Sequence, residues 1–407
     1  MIAENRRTRA HTDIVLILLV GVMSVFGIVA VCVATYSADS SSDVPFLNHI
    51  VESSYALRQS LFVFIVAPLI AGVIMAIPYD WLRRFSGIIY WLTVVLLALV
   101  TIFNRATGVK AWLDIIWGYT IQPSEFAKLA MILILARQLS MESSPLSTWS
   151  SLFRLGITVG LPSLIILAEG ETGSMLVIVF LTIVMLYFAH CNLKSLALLA
   201  LAGILGILAI YGYMVASGST DYRLARIYGF LNPQLYSSSD SYQILQSQMA
   251  IGSGGLHGIG MFVDGSMSQL NYVPADWTDF IYATIGEAWG FVGCVSVLVV
   301  YMLILFRLLY LAWNTRDKFG RLIVCGVLGM ILFHVFENIA MTLGLMPITG
   351  IPLPFLSYGG SNMATNMGGI GLVLNVTRNR SLSDSISTPQ TFYNPYRVSR
   401  HFKTRPY

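Results

Sequence analysis

Charged residues are scarce in this sequence. Only 24 Lys and Arg and 20 Asp and Glu occur among 407 residues, which is 11%, whereas a soluble domain carries about a quarter. Apolar residues make up 56%, which is more than one water-soluble core of this length can bury. The composition therefore excludes a soluble enzyme and a disordered protein, and it indicates that lipid is a second solvent for this chain.

Cysteine is scarce as well. The four cysteines are scattered through apolar stretches, and no C-x-x-C motif or Cys/His cluster occurs. The sequence therefore indicates neither a disulfide framework nor a zinc site, and it excludes a secreted disulfide scaffold.

Long apolar runs, in contrast, are frequent. A membrane-spanning helix needs about 20 mostly apolar residues, and the chain has ten candidate segments. The first follows three arginines as a signal peptide does, but its apolar run is too long, so we interpret it as an anchor. The predicted fold class is all-α, a polytopic integral membrane protein with about ten transmembrane helices. The predicted spans are 14–36, 61–77, 86–103, 124–139, 155–168, 172–190, 195–214, 280–306, 322–345 and 355–376.

The basic residues predict the orientation. With the N-terminus in the cytoplasm, eighteen of the 24 Lys and Arg fall on the cytoplasmic side, as the positive-inside rule requires. The sequence then divides into a basic tail 1–13, a membrane domain 14–376 and a basic cytoplasmic tail 377–407. The segment 215–279 becomes a large extracytoplasmic loop without obvious helices before the eighth span. The six basic residues left on the outer side are Arg58, Arg105, Lys110, Lys128, Arg223 and Arg226.

Glu125 and Lys128 open the fourth span within the motif QPSEFAK. Pro and Ser suit a helix start, Glu125 complements the positive end of the helix dipole, and a spacing of three places both charges on one face. The spacing alone favours a cap with a structural ion pair. The alternative is a charged wall of a polar cavity at the outer face.

Two further segments combine polar and irregular features. Thr278 and Asp279 precede the eighth span and look by themselves like N-cap residues. The glycines of SYQILQSQMAIGSGGLHGIG lack the order of a nucleotide-binding loop, so we expect them to permit close backbone approach. In PITGIPLPFLSYGG, prolines and glycines interrupt an apolar stretch, which a membrane protein tolerates where the backbone is buried or lines a cavity.

Together these motifs resemble the RodA/FtsW/SpoVE family, also called SEDS proteins, over nearly the whole chain between the tails. QPSEFAK, YQILQSQMAIGSGG, TDFIYATIGEAWGFVG and PITGIPLPFLSYGGS occur in the family's order. The resemblance implies an inverting peptidoglycan glycosyltransferase of the bacterial cytoplasmic membrane. It would polymerise lipid II at the outer leaflet together with a class B penicillin-binding protein, and the C-terminal motifs look slightly more like the elongation branch.

By this resemblance Asp279 matches the catalytic acidic residue of the T-D-F motif. A carboxylate there can take the proton from an acceptor hydroxyl, and attack by one carboxylate-activated sugar predicts inversion. The leaving pyrophosphate needs cations or a divalent metal, with Mg²⁺ or Mn²⁺ as the candidate cofactor. No nucleic-acid partner is expected. The predicted substrate-binding residues are Glu125, Lys128, Lys110, Glu171, Gln122, Ser357 and Arg223.

Three departures from the family pattern concern the residues around this proposed base. Ala275 and Trp277 stand where the family usually has Glu and His before the T-D-F motif. Ala111 follows Lys110 where a second basic residue is common, and Glu171 replaces a usual aspartate. These changes affect the expected substrate affinity and pH response more than the proposed base itself.

Two other classes of function remain open from the sequence. A lipid II flippase would use the same intramembrane charges without a proton acceptor, and a membrane scaffold for a penicillin-binding protein would need neither. The clustering of charged residues at the outer face favours chemistry over both. His334 and Glu337, inside the ninth span, are interpreted as a buried structural network.

Overall fold

The computed structural model describes residues 12–36, 53–104, 111–114, 120–142, 146, 148–217, 222–231 and 239–386. Helices make up almost all of this part, and one two-residue antiparallel ladder pairs Leu113 with Ile121. The all-α fold class is therefore confirmed. The helices are α1 Ile14–Ala34, α2 Ser54–Ala76, α3 Tyr79–Asn104, α4 Pro123–Met141, α5 Trp149–Glu169, α6 Thr172–Phe188, α7 Leu193–Ala216, α8 Tyr222–Leu231, α9 Ser239–Ser253, α10 Ile281–Asn314, α11 Lys318–Thr342 and α12 Gly360–Ile386; the strands are β1 Leu113–Asp114 and β2 Thr120–Ile121.

Six helices of the described residues are long and apolar enough to cross a membrane: α1, α2, α3, α5, α10 and α11. Helix α6 is apolar but shorter, and α4, α7 and α12 overlap the other predicted spans. The chain is thus a multi-pass membrane protein, and the count of ten spans stays a prediction.

Helix α11 lies at the centre of the bundle. Its most apolar stretch is 83% buried, whereas the corresponding stretches of the other five span candidates are 17 to 44% buried. It packs against α4, α6, α10 and α12. Glycines allow the close approach, because a Cβ on Gly326 would lie 2.8 Å from Ile132 and one on Gly329 would lie 3.1 Å from Val184. The residues that α11 carries into its polar side are therefore shielded from lipid.

Helix α10 is interrupted at Gly290, whose φ of 64° and ψ of −159° are not helical. A break inside a span frees backbone groups that lipid cannot satisfy. Here the segment 255–260 satisfies them: Ile259 N–H donates to the Glu287 carbonyl over 2.9 Å, and Phe291 N–H donates to the Gly255 carbonyl over 2.9 Å. The expectation that these glycines permit close backbone approach is confirmed.

The expectation that the loop 215–279 lacks obvious helices is wrong. It contains α8 and α9, and Ser247 of α9 donates a 2.6 Å hydrogen bond to the Thr342 carbonyl of α11. Packing against the bundle stabilises these helices despite their polar sequence. Helix α12 also begins after the Pro/Gly-rich segment, at Gly360, and continues to Ile386, past the predicted boundary of the C-terminal tail.

Candidate functional site

Asp279 lies in the turn that leads into α10, but it does not cap this helix. The N-cap is Phe280, which makes no side-chain cap hydrogen bond, and the Thr278 hydroxyl donates to the Ala275 carbonyl over 3.1 Å. The reading of Thr278 and Asp279 as capping residues is therefore wrong, since the backbone reaches its helical conformation two residues after Asp279. The Asp279 carboxyl group stays available for another role.

Backbone contacts hold this turn against α11 and against the irregular segment 343–359. The Asn338 amide of α11 donates to the Asp279 carbonyl and to the Ile351 carbonyl, both over 2.7 Å. Tyr358 N–H donates to the Trp277 carbonyl over 2.9 Å. Gly350 lies beside the acidic group, because a Cβ placed on it would be 3.4 Å from Asp279 Oδ2. Two separate parts of the chain, α11 and the segment 343–359, thus fix the position of Asp279.

Two charged residues accompany Asp279. Arg226 of α8 interacts electrostatically with Asp279 and also with Glu337 of α11. Glu337 is fully buried, and the Thr349 hydroxyl donates a hydrogen bond to its Oε1. The sequence analysis missed both, because it left Arg226 out of the predicted substrate-binding residues and placed Glu337 in a structural network. The available signal was the cost of a carboxylate inside an apolar span.

The environment of Asp279 changes its proton affinity. Burial disfavours the charged carboxylate and raises its pKa to about 6, while the positive charge of Arg226 acts in the opposite direction. A base with a pKa just below neutral is ionised at pH 7 and still binds a proton strongly. These properties suit a general base.

Glu125 and Lys128 form the expected pair on one face of α4. Lys128 Nζ lies 2.6 Å from Glu125 Oε1, with only 1% and 4% of the two side chains exposed. The same Nζ is 3.0 Å from His334 Nε2, and the other ring nitrogen of His334 is 3.3 Å from the Pro352 carbonyl. Glu125 Oε2 has no hydrogen-bond partner among the described residues. The predicted ion pair is therefore formed, and it is part of a larger buried network that includes His334.

Glu171 extends this network toward α6. Gln122, the N-cap residue of α4, and Ser124 both donate hydrogen bonds to the Glu171 carboxylate. Burial raises the pKa of Glu171, the charge of Glu125 raises it further, and the bonds from Ser124 and Gln122 lower it. The structure therefore brings together Gln122, Glu125, Lys128 and Glu171, as the sequence-based interpretation of a polar wall expects.

The segment 349–351 lies close to both the Asp279 turn and the polar wall, which is formed by Gln122, Glu125, Lys128 and Glu171. Gly173 is the second residue of α6, two positions after Glu171, and a Cβ on it would be 3.0 Å from the Thr349 carbonyl and 2.7 Å from Ile351. Thr349 in turn holds Glu337. The absence of a side chain at Gly173 thus lets the segment 349–351 lie between the two groups of charges.

The remaining predicted site residues differ in what the structure says of them. The Ser357 hydroxyl accepts a 2.8 Å hydrogen bond from Leu353 N–H, so it closes a turn of the irregular segment and is 2% exposed. Its substrate contact stays a prediction. Lys110 lies outside the described residues, and Arg223 lies in α8 with a side chain that is also outside them.

The part of the chain that the structure describes contains no group of three or more His, Cys, Asp or Glu arranged to hold a metal ion. Asp279 and Glu337 supply two carboxyl groups, and their charged neighbour Arg226 is a cation. Two carboxyl groups are fewer than that search requires, and the binding of a divalent metal here stays a prediction.

Residues 13–382 match the family model of FtsW, RodA and SpoVE, described as cell cycle protein. Stage V sporulation protein E of Bacillus subtilis is 33% identical over 376 residues, covering 91% of this chain and 98% of that protein. Peptidoglycan glycosyltransferase MrdB of Escherichia coli K12 is 32% identical over 78% of this chain and 85% of its own length.

A solved structure gives the same result for the fold. The structure, from work on the structural coordination of polymerization and crosslinking by a peptidoglycan synthase complex, contains a chain that matches with a TM-score of 0.72. The identity is 26%, and the match covers 91% of this chain and 98% of that one. The resemblance inferred from the motifs is thus supported by the sequence and the fold together.

Proposed function

The chain belongs to the FtsW/RodA/SpoVE family of cell cycle proteins, and from this premise we propose that it is a peptidoglycan glycosyltransferase. It extends glycan strands from a lipid-linked disaccharide donor, lipid II, at the outer leaflet of the bacterial cytoplasmic membrane. The observation that carries the proposal is Asp279. It is a carboxyl group with a pKa of about 6 beside Arg226, free of any capping role.

The proposed reaction uses Asp279 as general base. Its carboxylate accepts the proton of the acceptor sugar hydroxyl while that oxygen attacks the anomeric carbon of the donor. The bond from this carbon to the pyrophosphate oxygen breaks, and the polyprenyl pyrophosphate leaves with the bonding electrons. Attack opposite to the leaving group inverts the anomeric configuration, so an α-linked donor gives a β-linked strand.

Negative charge grows on the pyrophosphate as this bond breaks, and fixed cations stabilise it. Arg226 supports this role because it lies within electrostatic reach of Asp279. Lys128 supports it from the buried wall, together with Glu125, Glu171 and Gln122 as groups that bind and orient the sugars. Lys110, Arg223 and Ser357 complete the proposed binding set on sequence grounds.

The membrane setting and the partner belong to the same proposal. Both termini would lie in the cytoplasm, so that the Asp279 turn faces outward. The partner would be a class B penicillin-binding protein, which crosslinks the strands that this chain polymerises. The support is the matching chain of a peptidoglycan synthase complex that couples polymerization with crosslinking.

The test is reconstitution of the full chain with its partner in vesicles that contain labelled lipid II. Glycan polymer and leaflet exchange are scored separately in one preparation. We expect polymer that depends on Asp279. Exchange of labelled lipid between leaflets without any polymer would contradict the proposal and would favour a flippase.

A further inference from the structure

Glu337 is a second buried carboxyl group at the proposed site. It lies on α11, the most buried helix of the described part, and it is 0% exposed. The Thr349 hydroxyl holds Oε1, whereas Oε2 has no hydrogen-bond partner among the described residues. A carboxyl group in such a place costs several kcal/mol on membrane scales when it is charged. Packing alone therefore does not explain a carboxyl group at this position.

The backbone shows how close Glu337 comes to the reacting groups. Asn338, the next residue on α11, binds the Asp279 carbonyl over 2.7 Å. Thr349 binds Glu337, and Gly350, the next residue of that segment, lies 3.4 Å from Asp279 Oδ2 when its missing Cβ is placed. Two neighbouring pairs of residues thus connect the carboxyl groups of Glu337 and Asp279. Each group interacts electrostatically with Arg226, and Asp279 acts on Glu337.

The surrounding elements supply few other charges. One turn earlier on α11, His334 faces Lys128 of α4. Glu171 precedes α6 and interacts with Glu125. Within the described residues, the charged groups that act on Glu337 are Asp279 and Arg226. A site with two carboxyl groups and one guanidinium group is balanced when one of the carboxyl groups keeps its proton.

We propose that Glu337 is a positioning residue that keeps its proton while Asp279 is ionised, so that the pair carries one negative charge opposite Arg226. In this state Asp279 can accept the proton of the acceptor sugar, and Arg226 can still face the pyrophosphate. When Glu337 loses its proton at higher pH, the second negative charge binds Arg226 and repels the anionic donor. Glu337 therefore sets the upper pH limit of the reaction, and this inference rests on the proposed function.

The test compares the pH dependence of polymer formation in three full-length proteins with the same partner and lipid II. The wild type should lose rate on the alkaline side as well as below pH 6. Glu337→Gln mimics the protonated group, so its alkaline midpoint should move up by at least about one pH unit, a tenfold change in the proton equilibrium. The loss of rate below pH 6 should be the same as in the wild type.

Glu169→Gln is the matched control. Glu169 is also buried, its Oε1 also accepts a threonine hydroxyl, here Thr101 over 2.8 Å, and its Oε2 also has no partner among the described residues. The charged group that acts on Glu169 is Glu171, and neither Asp279 nor Arg226 is among its causes of shifted proton affinity, so its profile should follow the wild type. If both variants moved the alkaline midpoint equally, or if Glu337→Gln left it unchanged, the proposal would be overturned.

A second variant and a second measurement keep the proposal testable if Glu337→Gln fails to fold. Thr349→Val removes the hydrogen bond that favours the ionised Glu337, so it should also move the alkaline midpoint upward. Carbodiimide reacts with protonated carboxyl groups in apolar sites, and mass spectrometry can follow its attachment at Glu337 in the wild type against pH. Labelling at pH 7 on Asp279 but not on Glu337 would overturn the order of ionisation. A wild type that makes no polymer would instead contradict the proposed function.

Discussion

At the scale of single residues, Asp279 has the sequence position of a helix cap but does not perform that role. An acidic residue before a helix usually caps it, and Asn performs that role about as well as Asp. Here the cap position falls on Phe280, so the carboxyl group has no structural task in the helix start. Its neighbours are a guanidinium group and a second carboxyl group.

Asp279→Asn should therefore leave folding and membrane abundance unchanged and lower the rate of polymer formation by roughly 10²–10⁴-fold, the usual contribution of a positioned general base. The wild-type rate should fall below about pH 6, because the pKa of Asp279 is about 6 and the protonated group cannot accept a proton. Polymer assays on purified protein across pH 5 to about 8 measure both effects.

The choice of control for this variant follows from burial. Asp276 is close in sequence, but it is 1% exposed and burial raises its pKa well above the ordinary value, so Asp276→Asn changes a buried group. Asp264 is exposed and accepts hydrogen bonds from Tyr36 and Gln269, which Asn can also accept. Asp264→Asn should keep wild-type activity, and equal losses in both variants would remove Asp279 from the role of base.

The Glu125–Lys128 pair gives a second prediction at this scale. Each single charge change should lower activity at least about tenfold, and the double swap Glu125→Lys with Lys128→Glu should not restore it. The reason is that Lys128 also contacts His334 and that Glu125 interacts with Glu171, so the swap reverses both contacts. Polymer formation by the three variants at equal protein abundance measures this. Recovery in the double variant would show that the pair is only structural.

At the scale of elements, the broken helix α10 is held by a segment of another part of the chain. Gly258 has a φ of +83°, and a Cβ there would overlap the Ala288 carbonyl. Gly265 has nearly the same φ, +82°, but nothing lies within 4 Å of the corresponding position. Comparing substitutions at the two glycines therefore distinguishes the effect of a positive φ from the effect of close packing.

Gly258→Ala should destabilise the protein by roughly 1–3 kcal/mol more than Gly265→Ala does, because only the former forces apart the hydrogen bonds from 259–260 to α10. Thermal unfolding of the purified proteins in one detergent compares the two variants. Equal melting temperatures would mean that positive φ alone requires these glycines and that the contact with α10 contributes little.

At the scale of the whole molecule, two polar groups meet inside an apolar bundle. The wall on α4 and the Asp279 turn approach each other at 349–351, between α6 and α11. The positive-inside distribution predicts that this polar region opens to the outside. Lys194 and Leu270 are both exposed and would then lie on opposite sides of the membrane.

In a background without the four native cysteines, Leu270→Cys should react in intact cells with an impermeant thiol reagent, and Lys194→Cys should react only after the membrane is opened. The measurement is the labelled fraction with and without permeabilisation. Labelling of position 194 rather than 270 in intact cells would reverse the orientation and place Asp279 in the cytoplasm.

Features that depend on neighbouring residues follow from the sequence alone. Apolar runs predicted the helices, because a span must bury its side chains in lipid or protein. A spacing of three residues placed Glu125 and Lys128 on one helix face, and the structure confirms their contact. The four motifs together were enough to indicate the family, which the comparisons confirm.

Which distant residues come into contact depends on the tertiary packing. Arg226, Asp279, Glu337 and Thr349 come from four parts of the chain, and neither periodicity nor spacing relates them. Their approach depends on how α8 folds back on the bundle and on how the segment 343–359 passes between α6 and α11. Glycines such as Gly173 permit that path, and the path depends on the packed neighbours rather than on the local sequence.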